Sequence, residues 1–315
     1  MSTPTRAPER GPGGSIATGQ RRRGDALFRG TATGAGVLIL LVLAAVAAFL
    51  VWESLPAFTT DEEIARGSLV GYVWPLLFGT VLAAVIALVV ATPLSVGIGL
   101  FISHFAPRRA AQGLGYLVDL LAAVPSIVYG IWGIVVLSQA MVPIYAWLAE
   151  NLGFIPLFAG PASASGRTIL TAGLVLAVMI LPIITALARD IFLQTPRLHE
   201  EAALALGATR WEMIRYSVLP YGRSGVVSAA MLGLGRALGE TMAVALVLSV
   251  SDVVTFNLIS STNPSTIAAN IALNFPEAAG VETSVLIASG LALFVITFLV
   301  NFAARWIVAR SGAKS

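Results

Sequence analysis

Six stretches of this 315-residue chain are apolar for long enough to cross a lipid bilayer, and nothing else in the sequence limits the fold so strongly. They lie at roughly 36–52, 72–101, 114–140, 168–188, 224–250 and 284–308. A helix needs about 20 apolar residues to span the hydrocarbon core, where no water is at hand for a bare backbone amide. Runs of this length meet that demand as helices, with every backbone bond made inside the segment. Composition agrees: 57% of residues are hydrophobic and 11% charged, against about a quarter charged in a soluble domain. The expectation is an all-α integral membrane protein of six transmembrane helices. The second and third stretches are over-long and contain Pro93 and Pro125, which predict tilt or a break there.

Arginine and lysine placement sets the orientation. With the N-terminus inside, 16 of the 19 basic residues fall on the cytoplasmic side. They are the arginines of the first 35 residues; Arg108 and Arg109; Arg189, Arg197, Arg210, Arg215 and Arg223; then Arg305, Arg310 and Lys314. Arg66 and Arg167 fall outside, and Arg236 lies within a span. Residues 1–35, rich in Pro, Gly, Ser, Thr and Arg, predict a disordered basic cytoplasmic tail rather than a cleaved signal peptide. Residues 36–70 then hold the first span and an external loop, 71–310 the main transmembrane domain, and 311–315 a second cytoplasmic tail. In the outer loops, 141–166 suits an interfacial helix and 264–276 a short helix against the outer mouth.

Several chemistries are excluded. There is no cysteine, so neither a disulfide framework nor a thiolate metal site exists. His104 and His199 are far apart, each beside the end of an apolar segment, and read as interfacial side chains rather than metal ligands. Lys314 is the sole lysine and no GxxxxGK[ST] loop exists, so the chain does not hydrolyse ATP itself. No catalytic Ser/His/Asp set is present, and no cofactor is expected. Energy for any transport must come from a partner.

The longest charged stretch between apolar segments, residues 195–220, is built rather than slack. Thr195-Pro196 reads as a cap and first helical residue, EEAALAL as strong helix, and Gly207 as a left-handed stop. Thr209 to Glu212 reads as a capping box opening a second helix, with Pro220 near its end. Leu198, Ala202 and Leu206 share one face of the first helix. A DNA-binding helix–turn–helix is the competing reading. Spans on both sides argue against a nucleic-acid partner and for a docking element facing a cytoplasmic protein.

Arg236 and Glu240 are four residues apart within a span, a spacing that allows them to pair on one helix face. Ala229, Gly233, Gly239 and Ala243 are assigned to the same face, where small residues leave room for a helix or a solute. Charges at mid-span cost about 2.5–3.5 kcal/mol each on insertion scales and often mark a pathway. The pair reads either as an ion pair that glues the bundle or as a guanidinium offered to a passing oxyanion and held by Glu240 between cycles. Asp119, a third charged residue inside a span, reads as a structural partner to an arginine or helix end.

Two resemblances follow from these residues. Glu201-Ala202-Ala203, Gly207 and Leu219-Pro220 resemble the EAA loop of type I (MetI-like) ABC importer permeases, in which the glutamate-bearing helix seats in the ATPase subunit. Ser217 departs from that pattern, standing where the family has isoleucine. AVPSIVYGIWG at 123–133 and GRALGETMAV at 235–244 are similar to signatures of the PstC-type permeases of phosphate-specific ABC importers. That resemblance implies a pathway formed around Arg236 and Glu240, with Ser126 and Thr241 offering hydroxyls. It also implies four kinds of partner: a second permease (PstA-like), an ATPase dimer (PstB-like) that binds the ATP, an external phosphate-binding protein (PstS-like), and inorganic phosphate. The expected place is the bacterial cell membrane. Sulfate or molybdate import on the same architecture, and a proton-coupled secondary transporter, stand as alternatives.

Overall fold

The computed structural model describes residues 23–59, 68–251 and 253–312. Packing divides the chain into two units, residues 1–49 and 50–315. Helix α1 (Arg23–Phe58) supplies the described part of the first unit, and its side chains from Val37 to Leu43 are exposed, as a lipid-facing helix requires. It begins twelve residues before the end of the expected disordered tail; residues 1–22, with Arg6, Arg10, Arg21 and Arg22, lie outside the described residues.

In the second unit, α2 (Leu69–Leu100) ends in a π-helical turn at 101–105 and is followed by α3 (Arg108–Ala122). Next come α4 (Ser126–Trp132), a π-turn at 133–137, and α5 (Ser138–Leu152). Then α6 (Ile169–Leu193), α7 (Arg197–Ala205) and α8 (Arg210–Met213) lead through a third π-turn at 214–218 into α9 (Leu219–Leu238). After α10 (Met242–Val247), β1 (Val250–Ser251) pairs in parallel with β2 (Asn263–Pro264), and α11 (Ile267–Asn274) and α12 (Val281–Gly312) complete the unit. Five of the described helices are long and apolar enough to cross a membrane. The remaining span expected from the sequence, 224–250, is not one helix. It is assembled from α9 and α10 across a break at 239–241.

The core forms where small residues let α2 and α6 approach. Ala83, Ala84, Ala87 and Ala91 of α2 are at most 1% exposed. A Cβ added to Gly173 of α6 would lie 2.6 Å from Ile86 Cγ2. Without a hydrophobic drive between helices in lipid, such close backbone contact carries the packing. Ala229 and Gly233 of α9 are buried in the same core, where Gly233 faces Ile184 of α6. A second apolar cluster of Leu100, Ala188, Phe192, Met213, Ile214 and Val218 forms a base under α7.

The two prolines behave differently. Pro125 stands just before α4 and separates it from α3, as the sequence predicts, because a proline cannot donate to the preceding turn. Pro93 does not break α2, which continues to Leu100. Residues 141–152, expected to lie in the interface, instead continue the helix begun at Ser126 into one spanning element. The short helix expected within 264–276 is present as α11 and is tied down by Ile267 N donating to Thr80 Oγ1 (2.9 Å) and Asn270 Nδ2 to Tyr72 Oη (2.6 Å).

Candidate functional site

The α7 end of the bundle is the first candidate surface. Pro196, not Thr195, occupies the cap position of α7; the Thr195 hydroxyl is buried without a hydrogen-bond partner. The expected threonine cap is therefore absent, because Thr195 N–H turns back onto Phe192 O and carries the side chain inward. The other end follows expectation. Gly207 takes φ +85°, its N–H bonds Leu204 O at 3.0 Å, and Ala208 N–H bonds Ala203 O at 3.2 Å. Thr209 and Glu212 form the full capping box. Two hydrogen bonds from Thr209, backbone and hydroxyl, hold the Glu212 carboxyl below its ordinary pKa. Pro220 lies inside a helix that runs from Arg210 to Leu238, not near its end; the π-turn at 214–218 widens the spiral just ahead of it.

No side chain of α7 is buried. Ala203 rests on the apolar base, Ser217 Oγ donates to His199 O (3.3 Å), and Glu200 Oε1 lies 3.5 Å from His104 Nε2 on the turn after α2. Ser217, the departure from the family pattern, thus ties the loop to the bundle. Glu201 and Ala202 remain exposed, with Leu198 76% and Leu206 89% accessible and Trp211 beside them. Leu219 is half-buried and Pro220 exposed. A helix stopped by a glycine turn that shows leucines on its free face is shaped to receive a partner.

The second candidate lies at the α9–α10 break. Gly239 ends α9, and Glu240, 8% exposed, accepts a hydrogen bond from Ala243 N–H at 3.1 Å. Its carboxylate thus caps α10, where a helix N-terminus favours negative charge. It forms no salt bridge with Arg236, so the expected pair is corrected: four-residue spacing brings side chains together only on an unbroken helix, and this one stops at Leu238. Arg236 is exposed and close enough to Tyr129 for its charge to act on the hydroxyl. Of the small residues, Ala229 and Gly233 lie seven and three positions before Arg236 on the same unbroken helix, and both are buried, Gly233 against Ile184 of α6. Gly239 and Ala243 lie beyond the helix end, so they do not share that face.

The segments 123–133 and 235–244 meet. A Cβ on Gly130 would sit 2.8 Å from Ala243 Cα, and one on Gly133 2.9 Å from Val247 Cγ2. Tyr129 Oη donates to Leu121 O at 2.8 Å and bridges the α3–α4 break. Two discontinuous helices are therefore packed side by side in one bundle, as in transporters whose half-helices frame a solute site. Ser126 is the first residue of α4 and half-buried; Thr241 Oγ1 donates to Gly239 O at 3.2 Å. Neither is hydrogen-bonded to Arg236. Asp119 is not a buried acid: its side chain is 53% exposed, and it lies 3.8 Å from Arg189, which also bonds Asp190 at 2.9 Å. That is the structural partnership the sequence suggested.

Sequence reasoning missed Arg167. Its Nη2 donates to Leu246 O (3.3 Å) and Leu248 O (3.4 Å) at the far end of α10. The available signal was its position as one of two basic residues on the side otherwise poor in them.

Comparison with known proteins adds the following. The sequence model of the family described as "Binding-protein-dependent transport system inner membrane component" matches residues 95–312. A Mycobacterium tuberculosis protein named "Phosphate transport system permease protein PstC 2" is 48% identical over 304 residues, covering 90% of this chain and 91% of its own. A Mesorhizobium japonicum protein named "Phosphate transport system permease protein PstC" is 39% identical over 305 residues, 92% of each. Among solved structures, an inward-facing MetNI methionine ABC transporter matches with TM-score 0.51 at 19% identity, over 76% of this chain and 94% of that one. A bacterial ABC transporter involved in alginate import matches with TM-score 0.55 at 15% identity, over 91% and 96%. At those identities the two structures bear on the fold alone.

Proposed function

The chain belongs to the PstC family of binding-protein-dependent transport system inner membrane components, and from that premise we propose that it is the permease subunit through which an ATP-driven importer moves inorganic phosphate. The observation that carries the anion reading is Arg236. It is a guanidinium in an apolar segment, exposed at a helix break, with no carboxylate in salt-bridge range among the described residues. A charge so placed is costly, and the five-donor fork suits a phosphate oxyanion. The relatives' names direct that chemistry to phosphate rather than to sulfate or molybdate.

In this reading both termini and α7 are cytoplasmic, in the inner membrane of a bacterium. A second, PstA-like permease covers the exposed face around Arg236 and closes the pathway. The exposed side of α7, around Glu201, seats in a PstB-like ATPase dimer, which binds and hydrolyses the ATP that this chain has no loop to hold. Closure of that dimer presses on α7 and, through the base formed by Phe192, Ile214 and Val218, tilts α6 and α9. The bundle turns from inward-open to outward-open, and Arg236 meets phosphate released by a PstS-like binding protein. Glu240 takes no part in holding the arginine. It fixes the inner end of α10 and thereby the shape of the break.

The test is uptake of labelled phosphate by vesicles containing the reconstituted complex. Unlabelled phosphate is expected to compete fully, and an equal excess of sulfate or molybdate to leave uptake unchanged. Equal competition by either anion would overturn the assignment.

A further inference from the structure

Six residues of helix cannot hold themselves, and α10 has non-helical backbone on both sides. Glu240 secures its first turn from three residues away. At its other end Leu248 N–H still bonds Val244 O at 2.8 Å, but Leu248 then leaves in an extended conformation (φ −82°, ψ 132°), so the carbonyls after Val244 have no helical donors. Arg167 supplies donors from 79 and 81 residues away, through the bonds to Leu246 O and Leu248 O. A cation at a helix C-terminus is also favoured by the helix dipole.

The post that carries this guanidinium is fixed from several directions. Gly166 takes φ +67° with its Cα so close to Ser138 that an added Cβ would fall 1.9 Å from that carbonyl oxygen. Thr168 caps α6 and bonds Tyr145 Oη at 3.1 Å; Tyr145, fully buried, bonds Thr171 at 2.6 Å. Ile169 N–H donates to Asn263 Oδ1 at 2.9 Å. Arg167 is half-buried, with Nε screened from solvent and Nη2 making the two carbonyl bonds. The post thus adds a polar grip to an end of α10 that is otherwise held by apolar packing of Val247 and Leu248.

We propose that Arg167 is a positioning residue, a latch that holds α10 at the end opposite α7, and that outward opening of the pathway requires its release from Leu246 and Leu248. The proposal rests on the transport reading above, and its test separates the two. The chain has no cysteine, so a single Leu248→Cys, at a site 1% exposed, reports on that end without background. In vesicles bearing the full complex, labelling by a membrane-impermeant maleimide from the α11 side is expected to be slow without nucleotide. It should rise about tenfold or more when the ATPase is trapped closed, as the open population grows. In Arg167→Gln labelling is expected to be fast without nucleotide, and in Arg167→Lys intermediate, since one ammonium cannot reproduce the planar fork. If Arg167→Gln disturbs assembly, the Lys variant decides. Slow, parent-like labelling in an assembled variant would overturn the latch. Phosphate uptake by the unsubstituted complex is measured separately, and an absence of phosphate selectivity there would count against the function and not the latch.

Discussion

Helices α7 and α10 are both short, and they are held in opposite ways. The glycine turn after α7 and the capping box beyond it come from neighbours in sequence, and none of its side chains is buried. Helix α10 buries Ala243, Val244 and Val247 against other elements, and its far end is held by an arginine 79 residues away. The first is a self-shaped lever set on the surface. The second is a piece whose position belongs to its surroundings. The proposed function, force taken at one end and a solute passed at the other, calls for both kinds.

The sharpest way to break this contrast is at the membrane site. Arg236→Gln is expected to reduce phosphate uptake by about 10–100-fold or more, the loss of a charge-assisted hydrogen bond to the anion. The complex should still assemble, because Arg236 has no salt-bridge partner among the described residues to abandon. Glu240→Gln should cost less, since a glutamine oxygen still accepts from Ala243 N–H. Equal loss in the two variants, with failed assembly, would mean that the pair glues the bundle after all. Uptake assays and co-purification of the subunits from the same membranes decide between them.

At the lever the expected defect is of another kind. Gly207→Pro cannot adopt φ +85° and would also remove the N–H that bonds Leu204 O, so the turn after α7 must re-form. Glu201→Lys reverses a charge on its free face. Both are expected to lower uptake several-fold while ATP hydrolysis continues, so that the ratio of phosphate moved to ATP used falls. A ratio equal to that of the parent in both would remove α7 as the coupling element. The His104–Glu200 contact lies on the same route into the bundle and should show the same signature more weakly when His104 is replaced by alanine.

What the sequence made legible follows the same division. Apolar run length revealed the spans, because lipid allows a backbone little choice. Gly207 and the Thr209–Glu212 box were readable because their causes lie within four residues. The α9–α10 break was not. Periodicity treats 224–250 as one helix, and nothing local states that Gly239 will end it while Gly130 and Ala243 close to backbone contact. The Arg236–Glu240 pair failed for that reason, and Arg167 was missed because its acceptors are distant in sequence. Thr195 shows that even a local rule yields when the side chain is drawn inward.

The smallest effect tests how far the lever is self-shaped. Thr209 donates twice to Glu212 and receives the Glu212 N–H in return. Those bonds favour the ionised carboxyl and depress its pKa. A depressed carboxyl contributes stability above its unfolded pKa, and that contribution is lost as pH falls through the folded value. The amides of Thr209, Glu212 and Met213 should therefore lose protection in hydrogen exchange, relative to their intrinsic rates, only below the ordinary carboxylate range. In Glu212→Gln the protection should be slightly lower and independent of pH across that range. Protection that falls with pH in the variant as it does in the parent would place the titrating group elsewhere. The start of the 210–238 helix would then depend on the bundle, as α10 does, and the contrast between the two helices would narrow.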